Sequence, residues 1–406
     1  MQTPGCLKVV IIQSYNTPYR NGLFNAINSF LDIDLHICYI GVRPEARKWE
    51  EHFESSFREY YVEIKKVSHI NYENSVVKIN SFDFIRKIIK INPDIIITHF
   101  GQIPLKIILP LILFLKFKLI SWTETTLITS QGVKSLKSFH KPLNNIFKSY
   151  IVPGILAKEY LIYSGFNVKD NIFFAQNSVD EIFRITRDEV ILKHTDNLPI
   201  KFIYIGSYVE RKGISILLQA FELIADYYNI ELHLIGDGPI QVPDRPYFFN
   251  HGFINKDQIF CILNKCHILV LPSLWDCNPL VVIEASKCGL ILMLSDGVGN
   301  YPEMINENGI VFQRNNQESM IVAFKYLLNL DREKLIKMSL KSLDNSNFIS
   351  HETSANAFRE AIHYRYNRLN KLHLAVKILR FFFMYTNYKT NKFKITLLRF
   401  LKKDLI

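Results

Sequence analysis

Two carboxylates eight positions apart, Asp276 and Glu284, bracket an apolar stretch in "LWDCNPLVVIEAS" (274–286). Asn278 has the side chain of a helix N-cap, and Pro279 suits a first helical position. The pattern predicts a helix over 279–289, closed by Gly289. Asp276 then lies just ahead of the helix, and Glu284 lies about a turn and a half inside it. The free N–H groups and the dipole of a helix start attract an anion such as phosphate. Lys212, in "SYVERKG", offers a point charge to the same anion. Carboxylates repel phosphate, so Asp276 and Glu284 need other partners. Sugar and ribose hydroxyls suit them, because an ionised carboxylate accepts several such hydrogen bonds. Phosphate and hydroxyls together describe a site for a nucleotide sugar.

These residues need a frame, and the chain supplies one. Strand-like runs at 8–15, 34–41, 94–100, 118–124, 148–154 and 171–180 alternate with helical spacing such as that of 22–31. A charged stretch at 184–200 ends in Pro199. The alternation then restarts, with strands expected at 201–206, 230–236, 267–273, 290–295 and 308–313 and helices at 214–228, 257–266 and 279–289. Such alternation indicates two doubly wound, Rossmann-like α/β domains with parallel sheets. The expected divisions are 1–185, 186–350, a closing helix over 351–364 and a tail over 365–406. Ligands of doubly wound domains sit beyond the carboxyl ends of the strands. Four loops at such ends carry glycine, lysine or carboxylate: 206–213, 236–239, 272–279 and 295–303.

Of the 406 residues, 48% are apolar and 13% aromatic, enough for large cores and against disorder. Net charge is +11, but residues 365–406 hold 11 Lys/Arg against one Asp. The body is nearly neutral and the tail is basic. In "FKITLLRFLKKDL" (393–405), Ile395, Leu398, Leu401 and Leu405 gather near one side with Lys/Arg on the other. That pattern fits an anionic membrane surface. A helix packed on the first domain is the alternative. A nucleic-acid tail is disfavoured, since nothing else resembles a nucleic-acid module. The six cysteines lack metal-ligand spacing and read as buried thiols in a reducing compartment. The amino-terminal apolar run is too short for a signal-peptide core. The stretch 105–122 is broken by lysines and a proline, short of the about 20 residues that a spanning helix needs.

The run from "YIGSYVERKG" through "LHLIGDGP" to "VLPSLWDCNPLVVIEASKCGLILMLSDGVGNYPEMINENGIVF" resembles the C-terminal half of glycosyltransferase family 4. The match is good over about 200–313 and looser in "YRNGLF" and "NSVD" of the first half. Members are retaining, metal-independent, group 1 type enzymes of GT-B fold, with two Rossmann-like domains facing a cleft. The resemblance implies that Lys212 contacts the donor diphosphate, Glu284 the ribose and Asp276 the donor sugar. It implies phosphate binding by the backbone at Pro279, Leu280 and Val281, with Asn278 also among the donor-binding residues. Gly236 and Gly238 would let their loop approach the nucleotide, and Phe253 would lie along the base. Gly22 would open the facing helix of the first domain, with Arg20 near a donor or acceptor phosphate. Trp49, Trp122 and Trp275 read as packing groups, with Trp275 also placed to shape the sugar pocket.

Two departures stand out. Ser207 replaces the family's usual Arg, and Arg211 either compensates or is solvated. Glu124, in "SWTETT", stands roughly where the family has a histidine near the donor sugar; it either faces the reaction centre or is a solvated loop residue. His99 is its rival for that place. The implied function is transfer of a sugar from a nucleotide-sugar donor to a hydroxyl of a lipid-linked glycan in bacterial surface polysaccharide synthesis. The setting is cytoplasmic, on the inner face of the membrane, with no cofactor. The alternatives are a nucleotide-sugar epimerase and a non-catalytic protein that only binds a sugar nucleotide within a larger complex.

Overall fold

The computed structural model describes residues 6–43, 54–69, 75–99, 111, 117–130, 146–195 and 199–367. The first domain runs β1 (Leu7–Gln13), α1 (Pro18–Asn28), β2 (Ile33–Tyr39), β3 (Arg58–Tyr61), β4 (Ile64–His69), β5 (Ser75–Ile79), α2 (Ser81–Ile91), β6 (Ile95–Thr98), β7 (Lys118–Trp122), β8 (Phe147–Val152), α3 (Ile155–Tyr163) and β9 (Ile172–Phe174). Its parallel sheet has the order β3-β2-β1-β6-β7-β8-β9, and β4 and β5 form a separate antiparallel pair. Strand β1 is apolar on both sides, as a strand covered on two faces must be. Val10 and Ile12 pack beneath α2 and α3; Val9 and Ile11 pack beneath α1.

The second domain runs α4 (Arg187–Lys193), β10 (Ile200–Ile205), α5 (Ile214–Ala225), β11 (Ile230–Ile235), β12 (Phe248–Gly252), α6 (Lys256–Leu263), β13 (Ile268–Leu271), α7 (Leu280–Lys287), β14 (Ile291–Ser295), α8 (Tyr301–Met304), β15 (Gly309–Phe312), α9 (Gln317–Leu328) and α10 (Arg332–Ser346). Its sheet is also parallel, ordered β12-β11-β10-β13-β14-β15. Strand order reverses around β1 in one sheet and β10 in the other. A doubly wound sheet opens a ligand crevice at such a reversal. Lys212 follows β10, and Asp276 follows its neighbour β13.

Helix α11 (His351–Asn367) returns to the first domain. Ala355, Phe358, Ala361 and Ile362 are fully buried against α1 and the first sheet. The Phe358 ring meets Trp122 edge-on at 4.9 Å, and Trp122 in turn meets Phe24. At Gly22 a β-carbon would lie 2.2 Å from the His351 ring, so α1 and the start of α11 approach within glycine distance.

Several expectations change. Helix α1 opens at Pro18 rather than near Gly22, because Pro occupies its first turn. Gly22 lies inside that helix, packed on His351. Strands β3, β4, β5 and β12 were not foreseen; each is short and mixes polar with apolar residues. Cys6 and Cys261 are exposed, not buried, whereas Cys38, Cys266 and Cys288 are buried as expected. Among the described residues no helix is long and apolar enough to cross a membrane. Most of 105–122, Trp49 and tail residues 368–406 lie outside the described residues.

Phe358→Ala is expected to cost about 3–5 kcal/mol, the range for a fully buried ring. Urea unfolding measures it. A loss below about 1 kcal/mol would mean that α11 does not hold the first domain together.

Candidate active site

The second-domain wall is built from loops pressed backbone to backbone. Lys212 ends a short 3₁₀ turn, Glu210–Lys212, and Gly213 follows with φ +71°. A β-carbon on Gly213 would lie 2.1 Å from the Pro272 carbonyl oxygen. The loop after β13 is seated in turn on the loop after β14. The Asp276 N–H donates to the Gly297 carbonyl at 2.9 Å, and the Gly299 N–H donates to the Asp276 carbonyl at 2.7 Å. β-carbons on Gly297 and Gly299 would lie 2.2 and 1.8 Å from the Ser273 and Cys277 carbonyl oxygens. Three glycines thereby place Lys212 against Asp276, and their side chains form a salt bridge with each only 15% exposed. Arg211 sits beside them, donating to the Trp275 carbonyl at 3.1 Å. It fastens the aspartate loop.

Helix α7 opens at Leu280, with Pro279 as the N-cap and no side-chain cap. The expected cap, Asn278, does not perform that role, because Pro279 takes the extended cap conformation in its place. The Asn278 amide is 7% exposed, and among the described residues neither of its polar atoms has a partner. Leu280 and Val281 fall in the first turn, and Asn300 fixes the entry by donating to the Pro279 carbonyl at 3.1 Å. Glu284 is inside the helix. Burial pushes its carboxyl up to about 7, and Lys256 pulls in the other direction. Gly236 and Gly238 have positive φ, but their β-carbons would strike the backbone of Gly206 and Tyr208 at 2.0 and 2.5 Å. They let one protein loop approach another, a role distinct from the expected approach to a nucleotide. Ser207 contributes its carbonyl to the Tyr204 hydroxyl at 2.8 Å. Phe253 is 48% exposed, just beyond the left-handed Gly252.

The first-domain wall centres on Glu124, which is not a free loop residue. Its Oε1 accepts from Arg20 at 2.9 Å and from Asn177 at 3.3 Å. Arg20 also donates to Gln13 and stacks 4.3 Å from the Trp122 ring centre. Arg20 is therefore a buried partner of Glu124. The rival His99 bonds Thr125 at 3.3 Å. Trp122 is a core group, and Trp275 is partly exposed beside Asp276.

The walls meet at Cys277. Burial pushes its thiol up to about 11; a Thr129 hydrogen bond lowers it, Glu124 and Asp276 raise it, and Arg211 lowers it. Glu124 of one domain and Asp276 of the other thus act on one side chain. A second bridge lies beside the cleft. Glu303 accepts from the Ile155 N–H at 2.5 Å and so caps α3 from the opposite domain. Gly154 is required there, since a β-carbon would lie 2.5 Å from that carboxylate. Sequence reading missed Gln13, Asn177 and Glu303 as parts of the site. The "NSVD" and "DGVGNYPE" segments were visible, but their cross-domain partners are set by tertiary structure.

The Glu284 carboxyl carries a testable consequence. Its ordinary value is 4.5 and its folded value about 7. Between them the folded state holds the extra proton. Its contribution is fully present below the lower value and is lost as pH rises through the higher one. Glu284→Gln is expected to match the parent protein in stability near pH 4.5 and to exceed it by on the order of 1–3 kcal/mol near pH 8, by urea unfolding at both values. A gap independent of pH would contradict the buried carboxyl.

Residues 199–330 match the family described as "Glycosyl transferases group 1". One component of the phosphatidylinositol N-acetylglucosaminyltransferase of Arabidopsis thaliana is 25% identical over 169 residues, covering 39% of this chain and 37% of that one. The chain thus spans little more than a third of that relative's length. The Anabaena protein HepE, solved with UDP and glucose, superposes with a TM-score of 0.66 at 12% identity, over 88% of this chain and all of that one. The lipopolysaccharide outer core galactosyltransferase WaaB superposes with a TM-score of 0.61 at 14% identity, over 88% of this chain and 99% of that one. The sequence match spans the strands and loops that carry Lys212, Asp276 and Glu284, and the structural matches span both sheets. Residues 199–330 are thus those of a group 1 glycosyltransferase domain, and the chain has the fold of the solved GT-B glycosyltransferases.

Proposed function

We propose that the protein transfers a sugar, with retention, from a nucleotide-sugar donor to a hydroxyl of a glycan acceptor. The observation that carries this reading is the Lys212–Asp276 pair beside the uncapped start of α7, at the point where the strand order reverses. Lys212 and the α7 N–H groups neutralise the diphosphate. Asp276 turns to the donor sugar hydroxyls, and Glu284 to the ribose. The acceptor hydroxyl oxygen attacks the anomeric carbon on the face from which the diphosphate departs. The bond from that carbon to the diphosphate oxygen breaks, and the hydroxyl proton passes to the departing oxygen. Negative charge grows on the leaving group, so Lys212 stabilises the transition state more than the ground state. That cation and the helix start serve the leaving group without a metal.

The acceptor lies in the cleft against the first domain, near Glu124. A lipid-linked glycan of a bacterial surface polysaccharide fits the basic amphipathic tail, whose lysines and arginines favour the anionic inner face of a membrane. The likeness to a lipopolysaccharide galactosyltransferase points the same way.

Thermal shift against UDP-, GDP- and CDP-sugars without metal tests the donor site. One donor is expected to raise the melting temperature, since a ligand that binds only the folded state stabilises it. No shift with any of them contradicts the reading. Lys212→Ala is expected to lower turnover by about 10²–10³, the usual effect of removing one transition-state charge contact. Unchanged turnover in a folded variant would remove Lys212 from the site. Helix α11 extends to Asn367, past the expected boundary at 364, and Arg365 is buried in it, so the variant to make is a deletion of 368–406. It is expected to release the protein from membrane fractions, and retention there would refute the tail's role.

A further inference from the structure

The segment 176–180 does more than join the domains. The Gln176 side chain donates to the Met304 sulfur at 3.1 Å, and the Gln176 carbonyl accepts from Ser354 at 2.5 Å. Ser178 Oγ bonds His351 Nδ1 at 2.6 Å. Asp180 pairs with Lys256 of α6 and lies 3.4 Å from His351 Nε2. The crossover is therefore tied to α6, α8 and α11. Within this set Asn177 is the member that reaches Glu124, whose Oε1 accepts from its amide at 3.3 Å. Arg20 bonds the same oxygen from the other side and is itself held by Gln13 and by the Trp122 ring. Both contacts fall on Oε1. Among the described residues Glu124 Oε2 makes no hydrogen bond, and Glu124 keeps 23% of its side-chain surface exposed. A carboxylate clamped through one oxygen presents the other in a fixed direction.

We infer that Asn177 and Arg20 are positioning residues that aim Glu124 Oε2 at a hydroxyl of the donor sugar, and that Asn177 links that aim to the interdomain crossover. The inference rests on the donor-site reading above. Asp276 grips the sugar from the second domain while Glu124 grips it from the first. Each carboxylate already has its own cation, Lys212 or Arg20. Glu124 keeps Arg20 when Lys212 turns to the diphosphate, so its second oxygen has no need of a cationic sugar and suits a hydroxyl. Any shift of the crossover relative to β7 moves Asn177 and slackens the Glu124 clamp. Sugar recognition is therefore coupled to the arrangement of the two domains.

A double-mutant cycle tests this on the full chain. Isothermal titration measures UDP, GDP and CDP beside their glucose, galactose and N-acetylglucosamine forms. The readout is the affinity ratio between the best nucleotide sugar and its own diphosphate. Glu124→Ala is expected to lower that ratio by about tenfold or more, the scale of one hydrogen bond to a charged group, with diphosphate affinity unchanged. Asn177→Ala is expected to lower it about three- to tenfold. The double variant is expected to match Glu124→Ala alone, because a residue acting through another is non-additive with it. Asn177→Leu keeps the size without a charge and removes the amide donor, and it should behave like Asn177→Ala if the latter folds poorly. Additive losses would make Asn177 a merely structural residue and overturn the inference. An unchanged ratio in Glu124→Ala, or no preference of the parent protein for any sugar form, would overturn it while leaving the diphosphate site standing. No binding of any nucleotide would bring down the donor-site reading itself.

Discussion

The structure turns on loops of the second domain that touch with no room for a β-carbon. Gly213 rests on Pro272, Gly297 on Ser273, and Gly299 on Cys277. These contacts exchange side-chain space for backbone precision. They set the 3₁₀ turn after β10 against the loop after β13, and so set Lys212 against Asp276. A loop free to move by an ångström would lose that pairing, and with it a fixed place for the leaving group. The sheet beneath supplies the rigidity. Strands β10 and β13 are neighbours, buried and apolar, and both loops leave from their carboxyl ends.

Charge is managed in the same way on both sides of the cleft. Lys212 answers Asp276 in one domain, and Arg20 answers Glu124 in the other. Each pair is mostly buried, so neither ion is left uncompensated when the cleft is empty. Substrate then competes for contacts that already exist. The uncapped start of α7 and the Asn278 amide, without a partner among the described residues, are among the polar groups not so answered. Buried polar groups without partners are costly, and their presence beside the Lys–Asp pair is what a site awaiting a polar ligand would retain.

Much of this was legible in the sequence. The apolar runs marked the parallel strands that frame the site, because a strand covered on two faces must be apolar on both, whereas the order of the strands in each sheet came from the structure. The eight-residue spacing of Asp276 and Glu284 located α7, and Gly289 marked its end with φ +65°. The cap at Asn278 was misread, since propensity favours asparagine while Pro279 takes the cap conformation locally. Gly22, Gly236 and Gly238 were expected to serve ligand or helix start. Their neighbours, His351, Gly206 and Tyr208, are protein, and no single sequence shows which surface a glycine must admit. The Arg20–Glu124 bond spans 104 positions and Glu303–Ile155 spans 148. Pairings of that range come from topology, and residue spacing carries no trace of them.

The most direct test is a crystal structure with the nucleotide sugar that gives the largest thermal shift. The account predicts that the diphosphate lies on the first turn of α7, that Lys212 Nζ has turned from Asp276 to a phosphate oxygen, and that Asp276 accepts from a sugar hydroxyl. A donor bound elsewhere, or one bound there with the Lys212–Asp276 pair intact and untouched, would contradict it.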